Sequence, residues 1–220
     1  PLVNNASVTS EDAPFVVFNT TSWDRLELVE LPKEEEKTTK NFATQISHQG
    51  RALAIVSAPA MGYKTIHLQQ QQQAQKSIVT AQEDATCIYL ENALVQVSVS
   101  RDHGRVSIFD KRSKRYAVQD GNRMVLYEDI PLFWDAWDVE IYHLEKPRVV
   151  SQKSTVNLVE KGPLRASVQV VTPLTATSSI KQIISLTAIS PRLDFACECD
   201  WIKENRLMLK AQFPTNIRAT

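Results

Sequence analysis

Short runs of alternating apolar and polar residues fill most of this chain and constrain its fold more than any other feature. Residues 25–31 read Arg-Leu-Glu-Leu-Val-Glu-Leu, and residues 93–99 read Ala-Leu-Val-Gln-Val-Ser-Val. Alternation with a period of two is typical of a strand with one buried and one solvated face. Such runs recur at spacings of roughly 8–15 residues, and no long repeat of helical period accompanies them. The pattern predicts an all-β protein with an antiparallel β-sandwich architecture.

A glutamine tract divides these runs into two groups. Residues 69–75 are six glutamines and one alanine, a composition that is typical of a linker or an exposed loop. We therefore place a domain boundary near residues 69–84. Residues 1–13 are expected to form an N-terminal extension, residues 14–80 a small β-sandwich, and residues 84–220 the first part of a larger sandwich or supersandwich. A chain of 220 residues is long enough for two such domains.

A β-hairpin is predicted over residues 93–109. The run 93–99 leads into Asp102-His103-Gly104, where Gly104 can take the positive φ of a tight turn, and the chain returns along 105–109. The basic cluster that follows at 111–115 has no interleaved aromatic residue, so we interpret it as a solvated hairpin end.

The charge balance and the apolar runs exclude some classes of function. The chain has 25 Lys and Arg residues against 25 Asp and Glu residues, whereas a nucleic-acid binder usually carries a basic excess. The longest apolar runs are far too short to span a bilayer, so neither a nucleic-acid partner nor a membrane span is expected. The chain starts without Met or a leader pattern, and its last strand-like run ends close to Thr220. We therefore expect a piece of a longer protein.

The three cysteines, Cys87, Cys197 and Cys199, cannot all pair within the chain because their number is odd. Cys197 and Cys199 would lie on the same side of a strand, which is a poor geometry for a disulfide. We expect buried free thiols in a reducing compartment. A Cys-x-Cys metal site would need two further ligands, and no partner motif is present, so no metal ligand is predicted in this chain.

The aromatic-acidic segment, residues 133–143, is the strongest candidate for a binding function. It reads Phe-Trp-Asp-Ala-Trp-Asp-Val-Glu-Ile-Tyr-His and contains two of the four tryptophans. Sugars have apolar ring faces that lie on aromatic rings and hydroxyls that carboxylates bind. Trp134 and Trp137 are therefore candidates to stack on a sugar, and Asp135 and Asp138 are candidates to accept hydrogen bonds from its hydroxyls.

Four blocks of sequence, in order between about Phe15 and Pro214, carry a family resemblance. The most specific runs from Gly121-Asn122 through Asp129-Ile130-Pro131 and Trp134-Asp135-Ala136-Trp137-Asp138 to Tyr142-His143-Leu144-Glu145. The others are Asn19-x-x-x-Trp23-x-Arg25, the turn Ala58-Pro59-Ala60-Met61-Gly62-Tyr63, and residues 201–214. Together they resemble the family-38 glycoside hydrolases, in particular the cytosolic and vacuolar α-mannosidases. The last block departs from the family at Glu204-Asn205-Arg206, where an acidic-His-Lys group is common.

The resemblance implies a noncatalytic part of a retaining, metal-dependent exo-α-mannosidase. In that family the catalytic aspartates and the zinc ligands come from an N-terminal α/β domain followed by a helical bundle. This chain resembles only the β-rich part behind them, and its larger sandwich is expected to be galactose-mutarotase-like. We therefore expect no cofactor and no catalytic residue here, with zinc held by the missing catalytic domain. That domain and a mannose-containing oligosaccharide are the expected partners, and homo-oligomerisation is left open. A cytoplasmic location is expected, with the vacuole or lysosome as the alternative.

Two roles for the aromatic-acidic segment remain open: lining a sugar pocket made with the missing domain, or burying its rings at a domain interface while its aspartates cap loop amides. For the chain as a whole, two alternatives remain: an autonomous carbohydrate-binding module, or a purely structural or assembly module whose aromatic residues pack against another domain or subunit. Retaining hydrolysis needs two carboxylates about 5 Å apart, and an irregular loop does not fix Asp135 and Asp138 at that distance. His143 is interpreted as a hydrogen-bonding structural residue rather than a proton shuttle. Trp23 and Trp201 are predicted to lie in the core.

Overall fold

The computed structural model describes residues 15–31, 45–66, 78–134 and 137–217. These ranges contain seventeen β-strands and one short 3₁₀ helix, Ile141–Glu145, and no α-helix. The all-β prediction is confirmed. The predicted N-terminal extension and the glutamine tract lie outside the described residues. Where the structure describes the chain, it shows no helix that is long and apolar enough to cross a membrane.

Two small antiparallel sheets form the N-terminal part of the described chain. In the first sheet β1 pairs with β5, and in the second β4 lies between β2 and β3. The bounds are β1 Phe15–Asn19, β2 Arg25–Glu30, β3 Gln45–Ile46, β4 Ala52–Ala58 and β5 Gly62–Ile66. Their inward side chains form a small core of Leu31, Ala52, Ala54, Val56 and Ile66. We refer to these two sheets as the small sandwich.

Two larger sheets pack face to face in the C-terminal part and form the large sandwich. The first has five antiparallel strands in the order β10-β9-β8-β7-β6, and the second has four in the order β13-β14-β15-β16. The bounds in the first sheet are β6 Thr80–Glu83, β7 Cys87–Glu91, β8 Val95–Ser100, β9 Val106–Asp110 and β10 Arg115–Gly121. Those in the second are β13 Thr155–Lys161, β14 Arg165–Pro173, β15 Ser179–Thr187 and β16 Leu193–Asp200.

The core of the large sandwich consists of alternate residues from both sheets. Because strand side chains point to opposite faces in turn, each alternating run places every second residue between the sheets. The buried residues from the first sheet include Ile88, Leu90, Val95, Val97, Val99 and Val106, and those from the second include Val156, Ala166, Val168, Val170, Ile184 and Leu186. The predicted hairpin over 93–109 is confirmed as β8 and β9. Gly104 has a φ of 61° at its turn, and a Cβ there would lie 2.3 Å from Val170 Cγ1.

A third sheet carries the aromatic-acidic segment. Its strands are β11 Arg123–Glu128, β12 Arg148–Val149 and β17 Leu207–Gln212, with β11 in the middle. In the antiparallel pairing of β11 with β17, Arg123 lies opposite Gln212 and Glu128 lies opposite Leu207. The block at 121–143 and the block at 201–214 therefore lie side by side, although they are far apart in sequence.

The two sandwiches are joined through the buried carboxylate of Glu160 on β13. Its side chain is only 2% exposed. It accepts hydrogen bonds from Arg165 Nε at 2.6 Å and from the main-chain amide of His48 at 2.7 Å. Arg165 also bonds Glu30 on β2 at 2.6 Å. Gln45 adds three bonds to the Leu164–Arg165 main chain. Because His48, Glu30 and Gln45 belong to the small sandwich, these contacts fix one sandwich against the other.

Two predictions about burial are wrong. Trp23 lies in a bend before β2 and is 62% exposed, because the chain leaves the sheet there to form the turn described below. Cys197 and Cys199 are exposed rather than buried, and Cys87 is half-buried, although all three are free. Their exposure follows from the position of β16 at the edge of its sheet in the described part of the chain. Trp201 is half-buried against the core beside Leu126.

The Asn19-x-x-x-Trp23 block is a structural motif built around one buried amide. Asn19 is 6% exposed. Its Nδ2 donates to the carbonyls of Trp23, Ala58 and Pro59 at 2.8, 3.2 and 3.0 Å. Its Oδ1 accepts from the main-chain amide of Thr21 at 3.1 Å. Asn19 therefore holds the first family-like block against the second, the turn at 58–63.

Replacing Asn19 with Ala is expected to destabilise the chain by about 3 kcal/mol. The substitution takes this donor away from the buried carbonyl of Ala58 and from the part-buried carbonyls of Trp23 and Pro59. Leaving a buried carbonyl without a donor costs about 1–3 kcal/mol. Urea unfolding followed by circular dichroism measures the change. Asn216→Ala is the control, because the Asn216 amide bonds an exposed carbonyl at 3.2 Å and its loss is expected to change stability by less than about 0.5 kcal/mol. Equal midpoints for the Asn19 variant and the unchanged chain would contradict a structural role for this block.

Candidate functional site

The aromatic-acidic segment lies on an excursion of the chain between β11 and β12. Hydrogen bonds hold both ends of the excursion to the third sheet: the amide of Asp129 donates to the carbonyl of Arg206 at 2.8 Å, and Lys146 pairs with Glu128 at 2.6 Å. The hydrogen bond and the charge of Glu128 raise the pKa of Lys146. Between these ends the chain exposes an unusual number of large apolar side chains: Ile130, Leu132, Phe133, Trp134, Trp137, Val139, Ile141, Tyr142 and Leu144. Exposed apolar surface of this kind marks an interaction site.

The two tryptophans of the segment are both exposed and share one turn. Trp134 is 74% exposed and Trp137 is 91% exposed. The main-chain amides of Trp137 and Asp138 both donate to the carbonyl of Trp134, at 2.8 and 3.1 Å. Trp134 has a φ of 61°, a left-handed conformation that costs a bulky residue about 1–3 kcal/mol. The turn therefore presents both rings to solvent at a cost in backbone energy, and neither ring belongs to a core of the described chain.

The acidic residues of the segment are only partly accounted for by the structure. Asp138 is exposed, and its Oδ1 accepts a hydrogen bond from the amide of Val139 at 3.0 Å. Within the described residues this is the side-chain contact of Asp138, and it uses Oδ1. The Oδ2 atom can therefore accept a hydrogen bond from a ligand hydroxyl. Asp135 lies outside the described residues. The structure thus brings Trp134, Trp137 and Asp138 together in one turn.

His143 connects the segment to the sheet beneath it. Its Nδ1 lies 2.6 Å from the carbonyl of Glu140, and its Nε2 lies 2.5 Å from Lys210 Nζ on β17. The ring also meets the Tyr127 ring edge to face at 5.1 Å, and Lys210 lies over the same ring at 5.2 Å. The interpretation of His143 as a hydrogen-bonding residue is confirmed. Sequence reasoning did not find Lys210 or Tyr127, because only the pairing of β11 with β17 brings them to the segment.

The chemistry of the described residues does not fit a zinc site. No group of three or more His, Cys, Asp and Glu side chains in the described ranges is arranged to hold a metal ion. Cys197 and Cys199 lie on an exposed edge strand, and Gln182 donates to Cys197 Sγ at 3.5 Å.

Comparison with known families assigns the chain to a group of carbohydrate-active enzymes. Residues 90–220 match the family described as glycosyl hydrolases family 38, C-terminal domain. The chain belongs to this family. The matched range contains the whole aromatic-acidic segment and most of the large sandwich, and so the family-38 domain includes the candidate site.

Curated relatives extend the similarity beyond the family-38 match. Alpha-mannosidase 2C1 of Homo sapiens is 30% identical over 213 residues, which cover 93% of this chain and 19% of the relative. Alpha-mannosidase G of Dictyostelium discoideum is 29% identical over 220 residues, which cover 90% of this chain and 20% of the relative. Alpha-mannosidase of Saccharomyces cerevisiae is 31% identical over 104 residues, or 44% of this chain and 10% of the relative. The chain therefore spans about a fifth of the length of the first two relatives.

Proposed function

We propose that this chain is the noncatalytic β-sandwich part of a retaining, metal-dependent exo-α-mannosidase that trims terminal α-mannose from oligosaccharides. Membership of family 38 and the names of the relatives support the parent activity. The exposure of Trp134 and Trp137 is the observation that supports a sugar-site role for this chain within the parent protein. In this role the domain supports the catalytic domain and presents the aromatic-acidic segment to its sugar site.

The residues of the turn have the chemistry that such a role needs. A tryptophan face offers apolar area and a negative π surface to the C–H face of a hexose. The carboxylate of Asp138, together with that of Asp135, accepts hydrogen bonds from hydroxyls, and these bonds are stronger for being charge-assisted. The third sheet supports the same role, because the hydrogen bond from Asp129 to Arg206 and the ion pair of Lys146 with Glu128 hold both ends of the excursion that carries the segment.

The remaining parts of the reaction belong, in this proposal, to the rest of the parent protein. Zinc and both catalytic carboxylates come from the N-terminal catalytic domain. The aromatic-acidic segment contacts that domain. The glycan partner is a mannose-containing oligosaccharide, and the proposed location is cytoplasmic. The division into a small sandwich over 14–80 and a large one from 84 onward is part of the proposal.

The isolated 220-residue chain is expected to be inactive. A chromogenic aryl α-mannoside incubated with the pure chain and Zn²⁺ should give no hydrolysis above the uncatalysed rate. In the proposal both catalytic carboxylates belong to another domain, and no group of three His, Cys, Asp or Glu side chains in the described residues could hold a metal ion. The full-length parent, assayed in parallel, is the positive control. Turnover by the pure chain that follows its concentration would overturn the noncatalytic assignment.

The alternative is an autonomous carbohydrate-binding module, and one observation favours it. The Trp137 side chain is 91% exposed in this chain, so its ring face is accessible to a sugar without a contribution from another domain. Under this alternative the isolated chain binds mannose saturably, and Trp137→Ala abolishes the binding. Under the proposal the isolated chain lacks half of the pocket and shows no saturable binding. Ligand-observed NMR with mannose separates the two outcomes.

A further inference from the structure

Strand β1 of the small sandwich is apolar on both of its faces. Residues 15–18 read Phe-Val-Val-Phe, whereas β2 alternates polar and apolar residues. An unbroken apolar run is typical of a strand that is buried on both faces, and a strand with one solvated face alternates instead. The sequence of β1 therefore fits a strand that is covered from two sides.

In the described part of the chain, one face of β1 is covered and the other is exposed. Phe15 and Val17 pack against the small core, but Val16 and Phe18, which alternate with them, are 47% and 72% exposed. Tyr63 on β5 lies directly opposite Phe18, is 62% exposed, and has its ring centroid 6.0 Å from that of Phe18. Because opposite residues of an antiparallel pair project to the same face, the two rings form one outward aromatic surface.

Two turns extend this surface beyond the end of β1. The main-chain amide of Met61 donates to the carbonyl of Thr21 at 2.9 Å, so the turn after β4 lies against the turn after β1. These turns carry Met61, which is 75% exposed, and Trp23, which is 62% exposed. We call the whole set the β1–β5 surface, and its side chains are Val16, Phe18, Trp23, Met61 and Tyr63.

The extent and the chemistry of the β1–β5 surface indicate the kind of partner that fits it. An aromatic side chain buries about 150–250 Å² when it is covered, so three of them with a valine and a methionine offer roughly several hundred Å². Exposed apolar surface of this extent marks an interaction site. None of the five side chains carries a charge. An apolar protein face therefore fits this surface better than a charged ligand does.

We propose that the β1–β5 surface is the docking face for the catalytic domain of the parent enzyme. The inference rests on the proposed function, because it takes this chain to be one part of an α-mannosidase. The matched segment makes up 19% of alpha-mannosidase 2C1 of Homo sapiens, so about four-fifths of that relative lies outside it. In the proposed function the catalytic domain precedes this chain, and β1 is the described strand nearest to it in sequence.

Covalent linkage favours this partner over a second copy of the chain. A domain that is tethered by a short flexible linker is present at an effective concentration of about 1 mM, whereas a second copy has to be gathered from solution. The docking is separate from the contact of the aromatic-acidic segment, since the β1–β5 surface belongs to the small sandwich. It covers the second face of β1, as the sequence of that strand requires.

Oxidation of Met61 by hydrogen peroxide, read by mass spectrometry, tests the proposal. An exposed thioether oxidises readily and a covered one slowly. Met61 is 75% exposed, and it should oxidise at least about tenfold faster in the isolated 220-residue chain than in the full-length parent. Met124, which is 6% exposed and belongs to a core cluster, is the internal control and should oxidise slowly in both proteins.

A charge placed on the β1–β5 surface should remove the protection. Phe18→Asp in the parent puts a carboxylate into an apolar contact, which is costly, so Met61 should then oxidise about as fast as in the isolated chain. In the isolated chain the same variant should keep the urea midpoint, because Phe18 is 72% exposed. Leu94→Asp is the matched control: Leu94 is 40% exposed between β7 and β8 of the large sandwich, and its replacement should leave Met61 protected in the parent.

Three results would overturn the proposal. Fast oxidation of Met61 in the parent would mean that the surface stays open there. Slow oxidation in the dilute isolated chain would mean that the chain covers its own surface, and protection that grows with the concentration of the isolated chain would assign the surface to a second copy. None of these readouts requires hydrolysis of a mannoside, so a parent without α-mannosidase activity would contradict the proposed function and leave this test intact.

Discussion

Replacing Glu160 with Ala is expected to destabilise the chain by about 3–4 kcal/mol. Removing one partner of a buried ion pair costs about 3–5 kcal/mol when the other charge stays buried without compensation. The lower part of that range applies here, because Arg165 keeps its hydrogen bond to Glu30. Here the guanidinium of Arg165 loses two short hydrogen bonds, and the amide of His48 loses its acceptor. Urea unfolding at neutral pH measures the change.

A surface ion pair provides the matched control. Glu83 pairs with Arg101 at 2.5 Å, and both side chains are substantially exposed. Exposed pairs contribute about 0–1 kcal/mol, so Glu83→Ala should change the free energy of unfolding by less than about 1 kcal/mol. If Glu160→Ala costs no more than Glu83→Ala, the contacts of Glu160 do not join the two sandwiches as the structure indicates.

The same carboxylate predicts a pH dependence. Burial alone would raise the pKa of Glu160, but hydrogen bonds from Arg165 and His48 outweigh burial and lower the pKa from 4.5 to about 2. A carboxyl with a depressed pKa stabilises the fold above its unfolded value and loses that contribution as the pH falls. Stability should therefore decline between about pH 4.5 and about pH 2, and Glu160→Gln should remove this part of the decline.

The strands could be predicted from the sequence because the alternation of apolar and polar residues in each strand follows the alternation of buried and exposed positions. The alternating runs at 25–31 and 93–99 became β2 and β8 with small differences at their ends. Alternation is a local signal, since each residue reports which face of the sheet it occupies. It was sufficient for the fold class and for the hairpin of β8 and β9.

What the sequence did not predict depends on contacts between distant strands. A carboxylate such as that of Glu160 is expected to be solvated from its residue type alone, yet Arg165 and His48 pair with it in a buried position. Lys210 reaches His143 only because β17 pairs with β11. Trp23 was predicted to lie in the core as part of a strand-like stretch, but the Asn19 turn holds it outside the sheet. Sheet order and turn geometry decide these positions, and neither is encoded in a local pattern.

The candidate site was predictable in part: its residues could be identified from the sequence, but the contacts that hold them could not. The density of aromatic and acidic residues identified the aromatic-acidic segment, and the structure places Trp134, Trp137 and Asp138 in one exposed turn. The positive φ of Trp134 and the anchor at His143 could not be read from the sequence, because both arise from how the excursion is held above the third sheet. The composition of the site was thus predictable, whereas its support was not.

In the full-length parent enzyme, Trp137→Ala is expected to lower kcat/KM about thirtyfold. A fully engaged aromatic side chain contributes about 2 kcal/mol to binding when it packs on a ligand, and this corresponds to about a thirtyfold change. The catalytic groups are, in the proposed function, on another domain. The loss should therefore appear mainly as a raised KM with kcat nearly unchanged, which is the signature of lost uniform binding.

An exposed tryptophan outside the segment makes the experiment specific. Trp23 is 62% exposed on the small sandwich, so Trp23→Ala removes the same side chain without touching the aromatic-acidic segment and should leave both kinetic constants unchanged. If Trp137 instead buries its ring only against the catalytic domain, Trp137→Ala should lower the thermal stability of the parent and leave KM unchanged. A raised KM with unchanged stability places the ring on the sugar, because a domain contact alone has no reason to weaken substrate binding.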